Sequence, residues 1–155
     1  MPRPRIIPCL LVHNRGLVKT RQFVDPTYVG DPINAVRIFN EKEVDELLVL
    51  DIDATVNGHE PNYEIIAQLA TECRMPLAYG GGVKSVEQVE RIISLGVEKV
   101  AISSAAIADP SLISRAAGKV GSQSIVVVAD VRLDDKGNYQ TFTHNGTLQT
   151  AQTAE

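Results

Sequence analysis

Five short apolar runs, each largely free of polar alternation, constrain the fold of this chain more than any other sequence feature. They are rich in Val, Ile and Leu and occupy residues 6–12, 46–51, 76–79, 99–102 and 124–130. A strand with one face in water alternates apolar and polar residues, whereas a continuously apolar strand is buried on both faces. The runs therefore predict strands of a parallel sheet that is covered on its two faces.

The segments between these runs carry a helical period. An Asp-Pro pair at 31–32 and another at 109–110 place an N-cap acceptor before a proline at the first helical position. Ser85 with Gln88 fits a capping box. Apolar residues share one helical face within 65–73, 86–93 and 112–117. Glycines mark the expected helix ends at Gly96, Gly118 and Gly121.

Strand and helix thus alternate, which predicts right-handed crossovers and an α/β fold with a parallel sheet. A doubly wound open sheet usually has a glycine-rich fingerprint after its first strand, but residues 13–16 read His-Asn-Arg-Gly. A (β/α)8 barrel instead places polar residues at the ends of many strands. That pattern is present at Asp51, Gly80–Gly82, Ser103–Ser104 and Asp130. We predict the N-terminal part of a (β/α)8 TIM barrel, with about five strands and four helices in one partial domain over residues 1–155.

A run of three glycines, Gly80–Gly82, lies between a predicted strand and a capped helix. Glycine lets the backbone approach an anion closely, and the start of the next helix adds partial positive charge. Gly81 and Gly82 are therefore candidate phosphate-binding residues, and the alternative is a tight turn without a ligand. Ser103 and Ser104 end the next strand and fit the same phosphate, although two serines after a strand are more often only a turn.

Asp130 and Asp51 are candidate catalytic carboxylates at strand ends. A carboxylate among apolar residues tends to have a raised pKa and can act as a general acid or base, while the alternative is an acceptor for loop N–H groups. Lys19 lies in a predicted loop after the first strand, where it either contacts phosphate and closes over a substrate or is simply solvated. Asp51 and Asp53 lack a third ligand at suitable spacing, so we expect no metal and no cofactor.

Charge and cysteine content narrow the class of protein. The 15 Lys and Arg residues against 19 Asp and Glu residues give a net charge of −4, which favours neither nucleic acid nor membrane as a partner. No apolar run reaches the roughly 20 residues of a membrane span, and the N-terminus lacks a signal-peptide pattern. The two cysteines, Cys9 and Cys73, are expected to be buried small hydrophobes in a reduced, cytoplasmic protein. The loop histidines are expected to be solvated, namely His13, His59 and His144.

Nine short motifs together resemble the cyclase subunit of imidazole glycerol phosphate synthase. The resemblance implies a (β/α)8 barrel of histidine biosynthesis, a lyase that takes ammonia from a glutaminase subunit. With that ammonia the family cleaves and cyclises a bisphosphorylated ribonucleotide. The motifs run from Arg5 to Gly146 and occupy residues 5–10, 30–32, 45–47, 50–52, 76–82, 99–100, 104–106, 121–123 and 143–146.

The same resemblance implies roles for individual residues. Asp130 matches one of two catalytic aspartates, Lys19 a lysine on a mobile loop, and Asp51 an active-site aspartate. One of two phosphate clamps corresponds to Gly82, Ser103 and Ser104, although the family usually has Asn where this chain has Ser103. The charged ring at the bottom of the barrel, where ammonia enters, corresponds to Arg5, Glu46 and Lys99.

One departure from the family concerns the chemistry itself. The family's other catalytic aspartate follows Pro-Cys-Leu, but this chain reads Pro-Cys-Leu-Leu at residues 8–11. Leu11 cannot transfer a proton, so the two-carboxylate mechanism is interrupted. Similar cyclase-like proteins of surface-polysaccharide biosynthesis, which act with a glutaminase in amidating a sugar, share this substitution. Sugar amidation is therefore the alternative function.

The other departure is length. A complete barrel needs eight strands and roughly 250 residues, so we expect a truncated barrel that lacks the second phosphate clamp. Such a chain is expected to be inactive alone and to associate with itself through its open edges. This leaves a third hypothesis from another class, a non-catalytic half-barrel that binds a phosphorylated small molecule and self-associates.

Overall fold

The computed structural model describes residues 3–153. Its helices are α1 (Pro32–Glu41), α2 (Tyr63–Glu72), α3 (Val86–Ser94), α4 (Ser104–Ala108) and α5 (Ser111–Val120), followed by a 3-10 turn at Ser122–Ser124. Its strands are β1 (Cys9–His13), β2 (Gly16–Arg21), β3 (Val24–Gly30), β4 (Leu47–Asp51), β5 (Leu77–Gly80), β6 (Lys99–Ile102), β7 (Ile125–Val127), β8 (Asp130–Leu133), β9 (Tyr139–Thr143) and β10 (Leu148–Thr153).

The central sheet has seven strands in the order β3-β2-β1-β4-β5-β6-β7. Strands β1, β4, β5, β6 and β7 are parallel neighbours, whereas β2 and β3 form an antiparallel hairpin at one edge. The sheet is open, because β3 and β7 lie at opposite edges within the described part of the chain. The predicted α/β class with a parallel sheet is therefore confirmed, and the order matches a partial (β/α)8 barrel.

The two faces of the parallel strands bury their side chains to different extents. One face packs against the helices, and Leu47, Val49 and Val100 on that face have no exposed area. Their helical partners form the same cluster, including Val36, Ile66, Leu69, Val89, Ile92 and Leu112. Alternate residues such as Leu48 and Leu50 point to the other face and are only half-buried.

The predicted helix caps are largely present. The Asp31 carboxylate accepts the Asn34 amide N–H at 2.9 Å, and Ser85 Oγ accepts the Gln88 N–H at 3.3 Å. Gly96 and Gly121 follow helices with φ of +100° and +91°, as expected of helix-ending glycines. Gly118 was expected to end a helix but lies inside α5, so this prediction is wrong.

Helix α5 begins one residue later than predicted, at Ser111, whose N–H is accepted by Asp109 at 3.1 Å. No helix within residues 3–153 is long and apolar enough to cross a membrane.

The structure corrects the predicted layout after the first and fifth parallel strands. Lys19 was expected on a loop but lies in β2, paired with Thr27 of β3, because residues 16–30 fold into a hairpin against β1. Asp130 was expected to end the fifth strand. That strand ends at Val127, and Asp130 begins β8 of a separate sheet ordered β10-β9-β8.

Cys9 was expected to be buried but is exposed, because it lies on the strand face that no helix covers. Cys73 is half-buried at the end of α2, and burial raises the pKa of its thiol.

Candidate functional site

A cavity of about 510 Å³ opens where the parallel strands end. The carboxyl ends of neighbouring parallel strands meet at one edge, which is where barrel enzymes build their sites. The cavity brings together most residues predicted from the strand ends. These lining residues are Leu11, Asp51, Gly81, Gly82, Ser103, Ser104 and Asp130.

Asp51 is the last residue of β4, and its carboxylate is held by the turn that follows. One oxygen, Oδ1, accepts the Asp53 N–H at 2.9 Å and the Ala54 N–H at 3.2 Å. Burial is the largest influence on this group and raises its pKa, while the two N–H bonds act against it. Asp51 is therefore a positioned carboxyl that is easier to protonate than an exposed one.

The glycine run brings the β5–α3 turn against the β4–α2 loop. Gly81 has φ of +118° and Gly82 has φ of +72°, a region that favours glycine. A Cβ on Gly81 would lie 2.3 Å from the Asp51 carbonyl oxygen, and one on Gly82 would lie 2.8 Å from the His59 carbonyl oxygen. Packing alone thus requires glycine at both positions, which is what a tight turn without a ligand would also require.

The opposite wall of the cavity comes from the end of β6. Ser103 is the N-cap residue of α4, and its carbonyl oxygen accepts the N–H groups of Ala106 and Ile107 at 2.9 and 3.2 Å. Within residues 3–153 the hydroxyls of Ser103 and Ser104 have no hydrogen-bond partner. Lys84 also lines the cavity and forms no ion pair with another described residue.

Asp130 and Leu11 line the same cavity from two different strands. Asp130 is half-buried, and burial raises the pKa of its carboxyl. Leu11 lies in β1 beside Leu50 of β4, so the position implied to carry the second catalytic aspartate is apolar. Three carboxyls therefore line the site. Asp51 and Asp130 have a raised pKa and lie beside an apolar wall, whereas Asp109 is paired with Arg115.

The hairpin contributes to the cavity, but not through Lys19. Thr20 and Phe23 line the cavity, whereas the exposed Lys19 does not. Phe23 packs over Gly146, and a Cβ at position 146 would lie 3.1 Å from the Phe23 ring.

The three predicted gate charges are brought together at the other end of the strands. Glu46 is 7% exposed, and its Oε2 accepts from Lys99 Nζ at 2.6 Å. The Arg5 guanidinium donates to the other carboxylate oxygen, Oε1. These residues precede or begin β1, β4 and β6, so the cluster lies at the amino-terminal ends of the strands, opposite the cavity.

Sequence reasoning missed the polar contacts made by His13 and by residues after β9. His13 was expected to be solvated but ends β1, and its Nδ1 lies 2.6 Å from Asp53 Oδ1. His144 and Asn145 line the cavity, and Asn145 Nδ2 donates to the Ile52 carbonyl at 2.8 Å. No local signal marked these pairs, because their members lie 40 and 93 residues apart.

No group of three or more His, Cys, Asp or Glu side chains within residues 3–153 is arranged to hold a metal ion.

Comparison with known proteins identifies the family. Residues 5–155 match the family described as histidine biosynthesis protein. A Pseudomonas aeruginosa protein provisionally named imidazole glycerol phosphate synthase subunit hisF2 is 60% identical over 147 residues, covering 95% of this chain and 59% of the relative. Similarly named proteins of Leptospira borgpetersenii and Vibrio vulnificus are 56% and 57% identical and cover 100% and 95% of this chain.

The chain spans about three fifths of these relatives, 61% of the Leptospira protein and 57% of the Vibrio protein. The family match, by contrast, reaches from Arg5 onward through both the cavity residues and the three gate charges. The chain therefore belongs to the histidine biosynthesis protein family, among the cyclase subunits of imidazole glycerol phosphate synthase and their relatives.

Proposed function

We propose that this chain supplies part of the active site of an ammonia-dependent lyase of the imidazole glycerol phosphate synthase type, working in the cytoplasm on a phosphorylated ribonucleotide. The observation that carries the proposal is the cavity where the parallel strands end. It is lined by Asp51, Asp130, Gly82, Ser103 and Ser104. Two carboxyls with raised pKa beside a wall of glycines and hydroxyls suit proton transfer next to a phosphate.

Within this site the residues divide into two roles. Asp130 is the general acid or base, with Asp51 as the second carboxyl. A substrate phosphate binds to the wall formed by Gly81, Gly82, Ser103 and Ser104. The Lys84 ammonium balances the negative charge of that phosphate. Lys19 keeps its proposed role only if the hairpin moves, because it is exposed away from the cavity wall.

The opposite end of the strands suits a glutaminase partner and the entry of ammonia. A buried Glu46 carboxylate with two cations, Arg5 and Lys99, is costly to desolvate, so such a cluster is a poor device for stability alone. We propose that these ion pairs form the gate through which ammonia passes from the glutaminase subunit.

A second candidate function is ammonia-dependent sugar amidation in surface-polysaccharide biosynthesis. The observation that favours it is Leu11, which lines the cavity and leaves Asp130 without the second catalytic aspartate. A third candidate is a non-catalytic phosphate-binding half-barrel. It keeps the glycine and serine wall and needs neither carboxyl.

Phosphate binding should depend on Lys84. Replacing it by Met removes the one ammonium that lines the cavity within the described residues, and we expect inorganic phosphate to bind about fivefold more weakly, a loss near 1 kcal/mol. Isothermal titration with phosphate measures this. The matched control is Lys136→Met, which removes the same charge from the exposed β8–β9 turn and should leave affinity unchanged. Equal weakening by both variants would mean a nonspecific charge effect and no site here.

The chain should associate with itself in solution. The edge strand β7 pairs only with β6 among the described residues, and its Val127 is 57% exposed. Open strand edges template pairing with another chain. Sedimentation at micromolar concentration should show dimers or larger species, and Val127→Lys should shift them toward monomer. Val56→Lys, at a valine in the β4–α2 loop that is 50% exposed, is the control that should leave the association unchanged. A well-folded monomer before any substitution contradicts the prediction.

A further inference from the structure

We propose that His13 and Asp53 are positioning residues, which hold the Asp51 carboxylate in place in the cavity wall. The role of Asp51 is taken from the proposed function, but the contacts that link His13, Asp53 and Asp51 do not depend on that function. They connect the end of β1 to the end of β4 through the side chain of Asp53 and then through its backbone.

The first link fixes the Asp53 side chain. His13 Nδ1 lies 2.6 Å from Asp53 Oδ1, and the Asn14 backbone N–H donates to Asp53 Oδ2 at 2.7 Å. Both carboxylate oxygens are therefore bound by consecutive residues at the end of β1. Asp53 has a side-chain exposure of only 20%, so its carboxylate depends on these two donors rather than on bulk water.

The second link passes from the Asp53 backbone to Asp51. The N–H groups of Asp53 and Ala54 donate to Asp51 Oδ1 at 2.9 and 3.2 Å. A turn that is anchored by its own side chain keeps both N–H groups aimed at one carboxylate oxygen. Without the anchor, the Ile52 N–H bond to Val12 at 3.0 Å still holds β4 to β1. The loss should therefore be local to residues 53–54.

One tautomer of the His13 ring suits both of its contacts. In that tautomer Nδ1 donates to Asp53 at 2.6 Å, and Nε2 accepts from the Asn14 side-chain amide at 2.9 Å. Neutral imidazole satisfies both contacts. An imidazolium would set a second N–H against the Asn14 amide donor, and that amide would have to flip.

The surroundings of Asp51 set the sign of the expected effect. Burial raises its pKa, and the Asp53 and Ala54 N–H bonds lower it. The Asp53 charge also raises it and His59 lowers it, while Tyr79 lies close on the neighbouring strand. The other charged or titratable groups around the cavity are Lys84, Asp109, Asp130 and His144. Loosening the turn removes a lowering influence, so the pKa of Asp51 should rise.

The test is a carbon-13 NMR titration of the Asp51 carboxyl in this chain. His13→Ala should raise the pKa of Asp51 by about half a unit to one unit, because two N–H bonds to the ionised form are weakened. His13→Asn keeps a donor where Nδ1 stood and should restore most of the original value. His144→Ala removes another imidazole from the cavity wall without touching Asp53, and should leave the value unchanged.

The proposal is overturned if the pKa of Asp51 stays the same in His13→Ala, or moves equally in His13→Ala and His13→Asn. A second measurement needs no substitution: nitrogen-15 spectra of His13 should show the proton on Nδ1, and a proton on Nε2 alone contradicts the link even if a variant fails to fold. Neither measurement uses a substrate. A failure to bind phosphate therefore counts against the proposed function and leaves this inference standing, and the reverse also holds.

Discussion

Replacing Leu11 by Asp should raise imidazole glycerol phosphate formation by about 10²–10⁴-fold in a protein that carries this chain followed by the remaining strands of the barrel. Leu11 and Asp130 line the same cavity, so an aspartate at position 11 would share that cavity with the present carboxyl. Proton transfer by one positioned group typically contributes a factor of this size. The measurement is turnover of the histidine-pathway substrate with ammonia supplied directly.

The controls separate the carboxylate from mere polarity. Leu11→Asn has nearly the same shape as Leu11→Asp but cannot exchange a proton, so it should stay near the parent rate. The chain of 155 residues alone should form no appreciable product, because a bisphosphorylated substrate that is held by only one of its phosphates loses orientation. Equal rates with Leu and Asp at this position would remove the role assigned to it. Sugar amidation would then lose its main support.

Replacing Gly81 by Ala should destabilise the fold by about 3 kcal/mol or more, since it combines backbone strain with overpacking. The new Cβ would lie 2.3 Å from the Asp51 carbonyl oxygen and 2.8 Å from the Asp51 Cβ, and φ is +118°. Both neighbours belong to the end of β4, which neighbouring strands hold on each side. The free energy of unfolding is measured by urea denaturation.

Two other glycines divide this effect into its parts. Gly96→Ala has a similar φ of +100°, but its Cβ would meet only Ala70 at 3.5 Å, so strain alone should cost about 1–2 kcal/mol. Gly118 lies inside α5 with open space around it, and Gly118→Ala should stabilise by about 0.5–1 kcal/mol. If Gly81→Ala costs no more than Gly96→Ala, the close approach between the two loops is not present in solution.

Local pattern was enough to predict the parallel strands and most helix ends. Residues 99–102 are a strand as predicted, because a short apolar run between helices is buried on both sides wherever a sheet is covered. Asp31 and Ser85 cap helices as predicted, since the acceptor and the N–H it binds lie three residues apart. Signals of this kind are contained within a single element.

The features that local pattern missed depend on pairing between distant segments. The segment around Lys19 was predicted to be a loop, because its partner strand β3 is exposed along most of its length and gives no apolar run. Asp130 was placed one element too early, since its partner in β9 is Phe142. The link from His13 to Asp53 had no sequence signal at all. By contrast, the family resemblance brought out Arg5, Glu46 and Lys99, which no periodicity would have grouped.

The central claim is that the cavity at the strand ends binds a substrate phosphate through the glycine and serine wall. A titration of this chain with inorganic phosphate, followed by amide NMR shifts, tests that claim most directly. Binding at the wall predicts saturable shifts, in the millimolar range or below, that centre on Gly81, Gly82, Ser103 and Ser104 and fade across the helical face of the sheet. Shifts confined to other regions, or no shifts in that range, would contradict it.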